Sequence, residues 1–283
     1  MNGSLIQLEY NAFGPAMVPI CTFVLRNSYI KDFQGAYIKL SEFKGVENQK
    51  PKTIEAIQSS NCEWLYIANQ NDFKKITGSP IGYWLSKNAI NTFENGFELK
   101  KIGDTRQGMA TSNNNRFIKQ WFEVKLLQSS FDSKNRTEAK LSNCKWFPYN
   151  KGGAYRKWFG NSHFLVNWEN DGFELLQLAS EKYGSPTRTI KSISEYFKPS
   201  VGWSKVTAGK FSVRYYPFGY LFDVAGCCIY FDKNDQLNTS YTLGLLNSKI
   251  SQIILDVLSP TLNYEAGVLA GFPVIKANVS VDL

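Results

Sequence analysis

The stretch K-L-S-N-C-K-W-F-P-Y-N-K-G-G-A-Y-R-K-W, Lys140 to Trp158, alternates cations with aromatic rings and holds no acidic residue. Lys140, Lys145, Lys151, Arg156 and Lys157 stand among Trp146, Phe147, Tyr149, Tyr155 and Trp158. One reading is structural: aromatic residues fill the inner face of a strand while lysines face solvent. The other is a nucleic-acid surface, where cations neutralise phosphates and flat rings stack on bases or fill distorted steps. Gly152-Gly153 lets the backbone approach closely. Composition favours the second reading. The 283 residues carry a net charge of +8, an excess that suits a polyanionic partner.

Outward from this stretch, strands and helices alternate without a repeat or a low-complexity tract. Upstream, the β-branched run Val18 to Leu25 reads as a buried strand, and Ala36 to Leu40 as a second that pairs with it or neighbours it. The polar segment Glu42 to Lys52 reads as a linker. Thr53 to Gln58 reads as a short helix, Glu63 to Ala68 as a strand, Asn71 to Ile76 as an Asn-capped turn, and Ile81 to Ala89 as helical. Arg116 to Lys125 and Phe164 to Trp168 are strand candidates, and Gly172 to Tyr183 has helical spacing that stops at Gly184. Aromatic strand-like runs and turns alternate from Val201 to Phe231, and Thr239 to Leu258 is expected to form the longest helix. The fold class is mixed α/β, of the α+β kind.

Hydrophobic residues make up 43% of the chain and charged residues 20%, as in an ordinary globular protein. No run approaches the length of a transmembrane helix, and the first residues lack a signal-peptide pattern. A cytoplasmic location is expected, with no membrane partner. Cys21, Cys62, Cys144, Cys227 and Cys228 show no C-x-x-C spacing and read as reduced core residues. With His163 as the one histidine, itself read as structural, neither a metal site nor Ser-His-Asp chemistry is expected.

Two further segments carry donors suited to DNA. Gly103 to Phe117 presents Gly108, Thr111, Asn113, Asn115 and Arg116, whose side chains suit base edges or phosphates. Val201 to Tyr216 adds Trp203, Ser204, Lys205, Lys210 and Arg214. With Lys145, Tyr149, Lys151, Arg156, Lys157 and Trp158 these form the expected duplex-DNA surface. Lys151, Arg156, Lys205 and Arg214 are expected to share one concave basic face, with Trp158 and Trp203 at its floor or edge.

Taken in order, these segments resemble the C-terminal part of the adenine-specific DNA methyltransferase of BREX phage-defence systems. More loosely they resemble recognition domains of combined restriction-modification enzymes. The resemblance rests on Q-G-M-A-T-S-N-N-N-R-F (107–117), K-W-F-P-Y-N-K-G-G-A-Y-R-K-W-F-G-N (145–161) and V-N-W-E-N-D-G (166–172). W-S-K-V-T-A-G-K-F-S-V-R-Y (203–215), L-L-N-S-K (245–249) and P-T-L-N-Y (260–264) extend it over nearly the whole chain. The family tends to have T-G-x-N where this chain places Ser112 after Thr111.

The resemblance implies that residues 1–45 are the last strands of a methyltransferase domain and that 46–283 form a DNA target-recognition domain. Within Y-N-A-F-G-P-A-M-V-P-I-C-T-F-V-L (10–25) it implies that Phe13 stacks on the flipped adenine in the full enzyme. It also implies S-adenosylmethionine as cofactor of the parent enzyme. This sequence contains neither a glycine-rich cofactor loop nor an N-P-P-Y-like motif, so the chain alone is expected to bind no cofactor and to catalyse nothing. Its expected partners are double-stranded DNA, the methyltransferase catalytic domain and other defence-system proteins. Two alternatives stand beside this reading. One is a metal-dependent nuclease built on Asp32, Glu42 and Lys44, with the strand Ala36 to Leu40 between them. The other is a protein-interaction module of the defence complex.

Overall fold

A computed structural model describes residues 2–9, 12, 20–28, 30–59, 61–207, 209–232 and 235–275. They fall into two compact units, the first reaching Gly96 and the second spanning Phe97–Val274. The domain division expected after residue 45 falls inside the first unit, which runs on for three further helices and a strand.

The first unit opens with β1 (Asn2–Gln7), β2 (Cys21–Arg26) and β3 (Gln34–Lys39), followed by α1 (Val46–Gln58), β4 (Leu65–Asn69), α2 (Gln70–Phe73) and α3 (Lys87–Asn95). The sheet order is β2-β1-β3-β4. The two strands expected to be neighbours are therefore separated by β1, which is antiparallel to β2 and parallel to β3. β2 was expected to be buried, yet it is an edge strand exposed along its length. Cys21, expected in the core with the other thiols, is exposed with it, whereas Cys227 and Cys228 are buried. Phe13 lies outside the described residues.

The supposed linker is largely helix, because a polar residue anchors it. Gln49 on α1 is buried; it accepts from the Glu9 amide at 3.1 Å and donates to the carbonyls of Phe43 and Gly45 at 2.6 and 3.1 Å. Hydropathy alone cannot see an anchor of this kind. The helix expected from Ile81 begins only at Lys87, where the Ser86 side chain accepts from the Ala89 amide. The Asn cap at α2 is Asn69, whose side chain accepts from the Asn71 amide. Tyr37 stacks on Tyr83 at 5.0 Å between centroids and meets Phe73 edge-on, which ties β3 to α2.

The second unit contains β5 (Phe97–Glu98), β6 (Asp104–Arg106), α4 (Asn114–Phe117), β7 (Ile118–Gln120), α5 (Arg136–Leu141), β8 (Trp146–Asn150) and β9 (Phe164–Asn167). After α6 (Glu169–Tyr183) come β10 (Ser200–Trp203), β11 (Val213–Tyr216), β12 (Leu221–Phe222) and β13 (Cys228–Tyr230). α7 (Gln236–Leu246), α8 (Lys249–Leu258), α9 (Ala266–Ala270) and β14 (Pro273–Val274) complete it. One sheet runs β12-β8-β9-β7, a second runs β11-β10-β13-β6, and β14 pairs with β5. The class is mixed α/β, as the sequence implied. Phe117, Phe147, Tyr149, Trp168, Tyr196, Phe197 and Phe222 form one buried cluster, which accounts for much of the aromatic content.

Three expectations change here. The strand expected from Arg116 to Lys125 shrinks to Ile118–Gln120, because Asn113 caps α4 ahead of it. The long helix expected from Thr239 breaks at Asn247-Ser248. Asn247 turns its amide onto β11, accepting from the Val213 amide and donating to the Val213 carbonyl, both at 3.0 Å. Ser248 then caps α8 through the Ser251 amide. His163 is exposed, and its structural contribution is a backbone carbonyl that accepts from the Trp121 amide.

Candidate nucleic-acid interface

The three segments singled out in the sequence converge in the second unit. The Met109 amide donates to the Phe222 carbonyl and the Val224 amide to the Met109 carbonyl, both at 2.9 Å, which seats the 107–111 stretch beside 222–224. Gly108 is required by this approach, since a Cβ there would lie 1.9 Å from the Phe222 carbonyl oxygen. The Asp223 amide donates to the Asn150 carbonyl at 2.8 Å and the Lys205 amide to the Ala225 carbonyl at 2.9 Å. The strand carrying W-F-P-Y-N thus meets the 203–216 hairpin around Asp223.

Several residues expected to touch DNA lie in the interior instead. Tyr149 is buried, and its hydroxyl donates to Asp223 Oδ2 at 2.8 Å. Burial, then the Asp223 charge, push its phenol well above the ordinary value. Trp203 is buried with its indole donating to the Tyr264 carbonyl at 2.8 Å. Thr111 is buried and donates to Asn114 Oδ1 at 2.7 Å. Ser204 is buried and donates to the Gly153 carbonyl at 2.8 Å. Arg214 is 0% exposed, so the four cations expected on one open face do not all reach it. On β11, Val213, Arg214 and Tyr216 are buried and only Tyr215 is exposed.

Most of the expected cations that do reach the surface are neutralised in place. Lys151 pairs with Asp223 at 3.1 Å, Lys205 with Glu265 at 2.9 Å and Lys145 with Glu169 at 3.2 Å. Arg116 is held by Glu174, which also accepts from Asn167. Asn113 and Asn115 are exposed, Asn113 being occupied as a helix cap. Lys157 reaches back to the Asn247 carbonyl at 2.5 Å. Arg156 and Lys210 are exposed, and among the described residues neither lies in an ion pair.

The loop Ala154 to Gly160 combines exposed aromatic rings with a cation outside any ion pair among the described residues. Tyr155 is 47% exposed, Trp158 53% and Phe159 67%, with Arg156 exposed among them. Its backbone is clamped on both sides. The Trp158 amide donates to the Val213 carbonyl at 3.0 Å, and the Tyr215 amide to the Trp158 carbonyl at 2.9 Å. Asn161 Nδ2 donates to the Ala154 carbonyl at 2.9 Å, and the Arg156 amide to Ser212 Oγ at 3.3 Å. Arg214 completes the clamp from below: Nη1 donates to the Arg156 carbonyl at 3.5 Å, Nη2 to Ser204 Oγ at 3.2 Å, and Nε to the Tyr216 hydroxyl at 3.1 Å. Trp158 is held at a φ of 71°, a conformation that a bulky L residue adopts only where its surroundings enforce it. Phe159 was not among the expected contact residues, although it lies in the quoted 145–161 block, whereas Tyr155 stood among the rings read as a nucleic-acid surface. An aromatic neighbour of Gly160 was the available signal.

Among the described residues no three His, Cys, Asp or Glu side chains are gathered as for a metal ion, and no helix is long and apolar enough to cross a membrane. No protein-family model matches the chain. Among curated proteins it is 34% identical over 270 residues to the adenine-specific methyltransferase PglX of Lacticaseibacillus casei (strain Zhang), an alignment covering 94% of this chain. It is 33% identical over 285 residues to the adenine-specific methyltransferase BrxX of Escherichia coli O9:H4 (strain HS), covering 99% of this chain. Among solved structures, the type IIG restriction endonuclease BpuSI aligns with 96% of this chain and 36% of its own at 9% identity and a TM-score of 0.41. The chain is thus similar, over nearly its whole length, to two adenine-specific methyltransferases, and it spans 22% of the length of each.

Proposed function

We propose that this chain is the target-recognition part of an adenine-specific DNA methyltransferase and binds double-stranded DNA. In this reading it corresponds to a C-terminal part of a BREX phage-defence enzyme. Residues 1–45 continue the catalytic domain of that parent, and the contact surface lies in the second unit. The carrying observation is the 154–160 loop, which presents Tyr155, Arg156, Trp158 and Phe159 from a clamped backbone. The relatives' names and the net charge of +8 support the same partner. Exposed Asn115 and Lys210 are the further contacts retained from the sequence reading.

The reading assigns S-adenosylmethionine and catalysis to the part of the parent outside this chain. Among the described residues the strand-to-helix junctions β4–α2 and β9–α6 carry Asn69 and Trp168, and neither junction offers a glycine-rich cradle that would fit the cofactor. The test is fluorescence anisotropy with labelled duplex DNA across a salt series. Affinity falling steeply with salt supports the reading, whereas no binding at about 50 mM salt overturns it. A stable complex with defence-system proteins but no salt-sensitive DNA affinity would instead identify an interaction module.

A further inference from the structure

We propose that Trp158 and Phe159 form an aromatic wedge that inserts into the DNA duplex and unstacks a base step. The proposal rests on the DNA-binding reading and specifies how this loop would use it. Three observations lead to it.

First, the loop ends in apolar rings rather than hydrogen-bonding groups. Trp158 and Phe159 are adjacent, more than half exposed, and among the described residues neither ring packs against another aromatic ring. The unit has a large aromatic core into which such rings could have folded, yet these two stay out. Side chains of this kind unstack a duplex by filling the opened step.

Second, the backbone beneath them is built to withstand a load. Prying a base step open pushes back on the wedge, and a flexible loop would yield. Here the Trp158 amide and carbonyl are both tied to β11, which lies at the edge of a four-stranded sheet, and buried Arg214, Ser204 and Tyr216 brace the flanking carbonyls. The left-handed backbone at Trp158 persists because these ties over-determine it.

Third, one open cation stands beside the wedge. Arg156 is exposed two residues before Trp158, while Lys145, Lys151 and Lys205 are engaged by carboxylates. A surface with most of its charges occupied gains less from phosphate contacts, so the aromatic tip must carry more of the contact. Phosphates flanking an opened step would meet Arg156.

The experiment uses the full 283-residue chain and short duplexes enriched on it from random sequence. Binding is read by anisotropy, unstacking by permanganate oxidation of thymines, and bending by energy transfer between dyes at the two ends. The wild-type chain should give protein-dependent permanganate reactivity at one step and a shortened end-to-end distance. Trp158→Ala with Phe159→Ala should abolish both signals and weaken binding by about tenfold or more, as expected for losing stacked rings. Both side chains are exposed, so circular dichroism should show the variant folded. Arg156→Ala should weaken binding while retaining the permanganate signal at saturation. DNA binding with neither unstacking nor bending, or signals that survive in the double variant, would overturn the wedge and leave the DNA-binding reading standing. Failure of the chain to enrich or bind any duplex would instead remove that reading and the wedge with it.

Discussion

The guanidinium of Arg214, fully buried, donates to the backbone carbonyl of Arg156, whose own side chain is exposed. Two residues of the same charge are thereby given opposite tasks. One solvates itself with a carbonyl and the hydroxyls of Ser204 and Tyr216 and thereby holds a loop; the other is left on that loop's surface. A guanidinium suits this brace because its donors lie in a fixed planar fork.

Arg214→Met should therefore destabilise the chain by about 1–3 kcal/mol, since it strands buried hydroxyl and carbonyl partners. Arg214→Lys should recover little of this, because an ammonium cannot span the three partners together. Urea denaturation measures the loss. Equal stability of wild type and Arg214→Lys would show that the fork geometry is not needed.

Arg156 and Lys151 should respond in opposite ways. Arg156→Ala should lower DNA affinity and reduce the slope of log affinity against log salt by about one, with stability nearly unchanged. Lys151→Met should cost about 1–3 kcal/mol of stability, because it leaves the buried Asp223 carboxylate without its cation. Its salt slope should change less than that of Arg156→Ala. Paired anisotropy and denaturation series on both variants check the contrast.

Ser112 occupies the left-handed region at a φ of 58°, at the position where the T-G-x-N pattern has glycine. This backbone conformation carries a steric cost for serine that glycine would not incur. Ser112→Gly should raise stability by about 1 kcal/mol, less whatever the 3.2 Å hydrogen bond from the Tyr183 hydroxyl contributes. Tyr183→Phe isolates that contribution, and thermal melts of the two single variants and the double read the difference. A fall in melting temperature for Ser112→Gly in the Tyr183→Phe background would contradict the strain.

Stability should decline in alkali. Burial pushes the Cys227 thiol from 9.0 up to about 12, and burial raises the Tyr216 phenol from 10.0 to about 12. Well below pH 9 both groups are neutral in both states and leave stability unchanged. As pH rises, the unfolded chain ionises first while the folded chain keeps its protons, so unfolding gains free energy progressively up to about pH 12. Urea midpoints across pH 8 to 11 should fall steadily, and Cys227→Ala should flatten part of that fall.

The sequence alone determined the mixed α/β class, the segments that come together and the residue types they supply. The helix ending at Gly184 and the strand Phe164–Asn167 were legible because glycine caps and apolar runs act locally. It did not determine which polar residues are structural. Gln49 converts a polar stretch into an anchored helix, and Asn247 breaks an apolar one, each by bonding to backbone far along the chain. The order of the first sheet, with β1 between the two strands read as neighbours, likewise depends on non-local pairing. Nor could the cations be sorted in advance. A one-dimensional pattern assigns Lys151, Lys205, Arg156 and Arg214 the same charge, but Asp223 and Glu265 lie far from their partners in sequence. Only folding brings those carboxylates to two of the lysines, buries Arg214 beneath the loop and leaves Arg156 and Trp158 in solvent. Charge is a property of residues, whereas exposure and neutralisation are properties of contacts, and contacts between distant segments exist only in the tertiary structure.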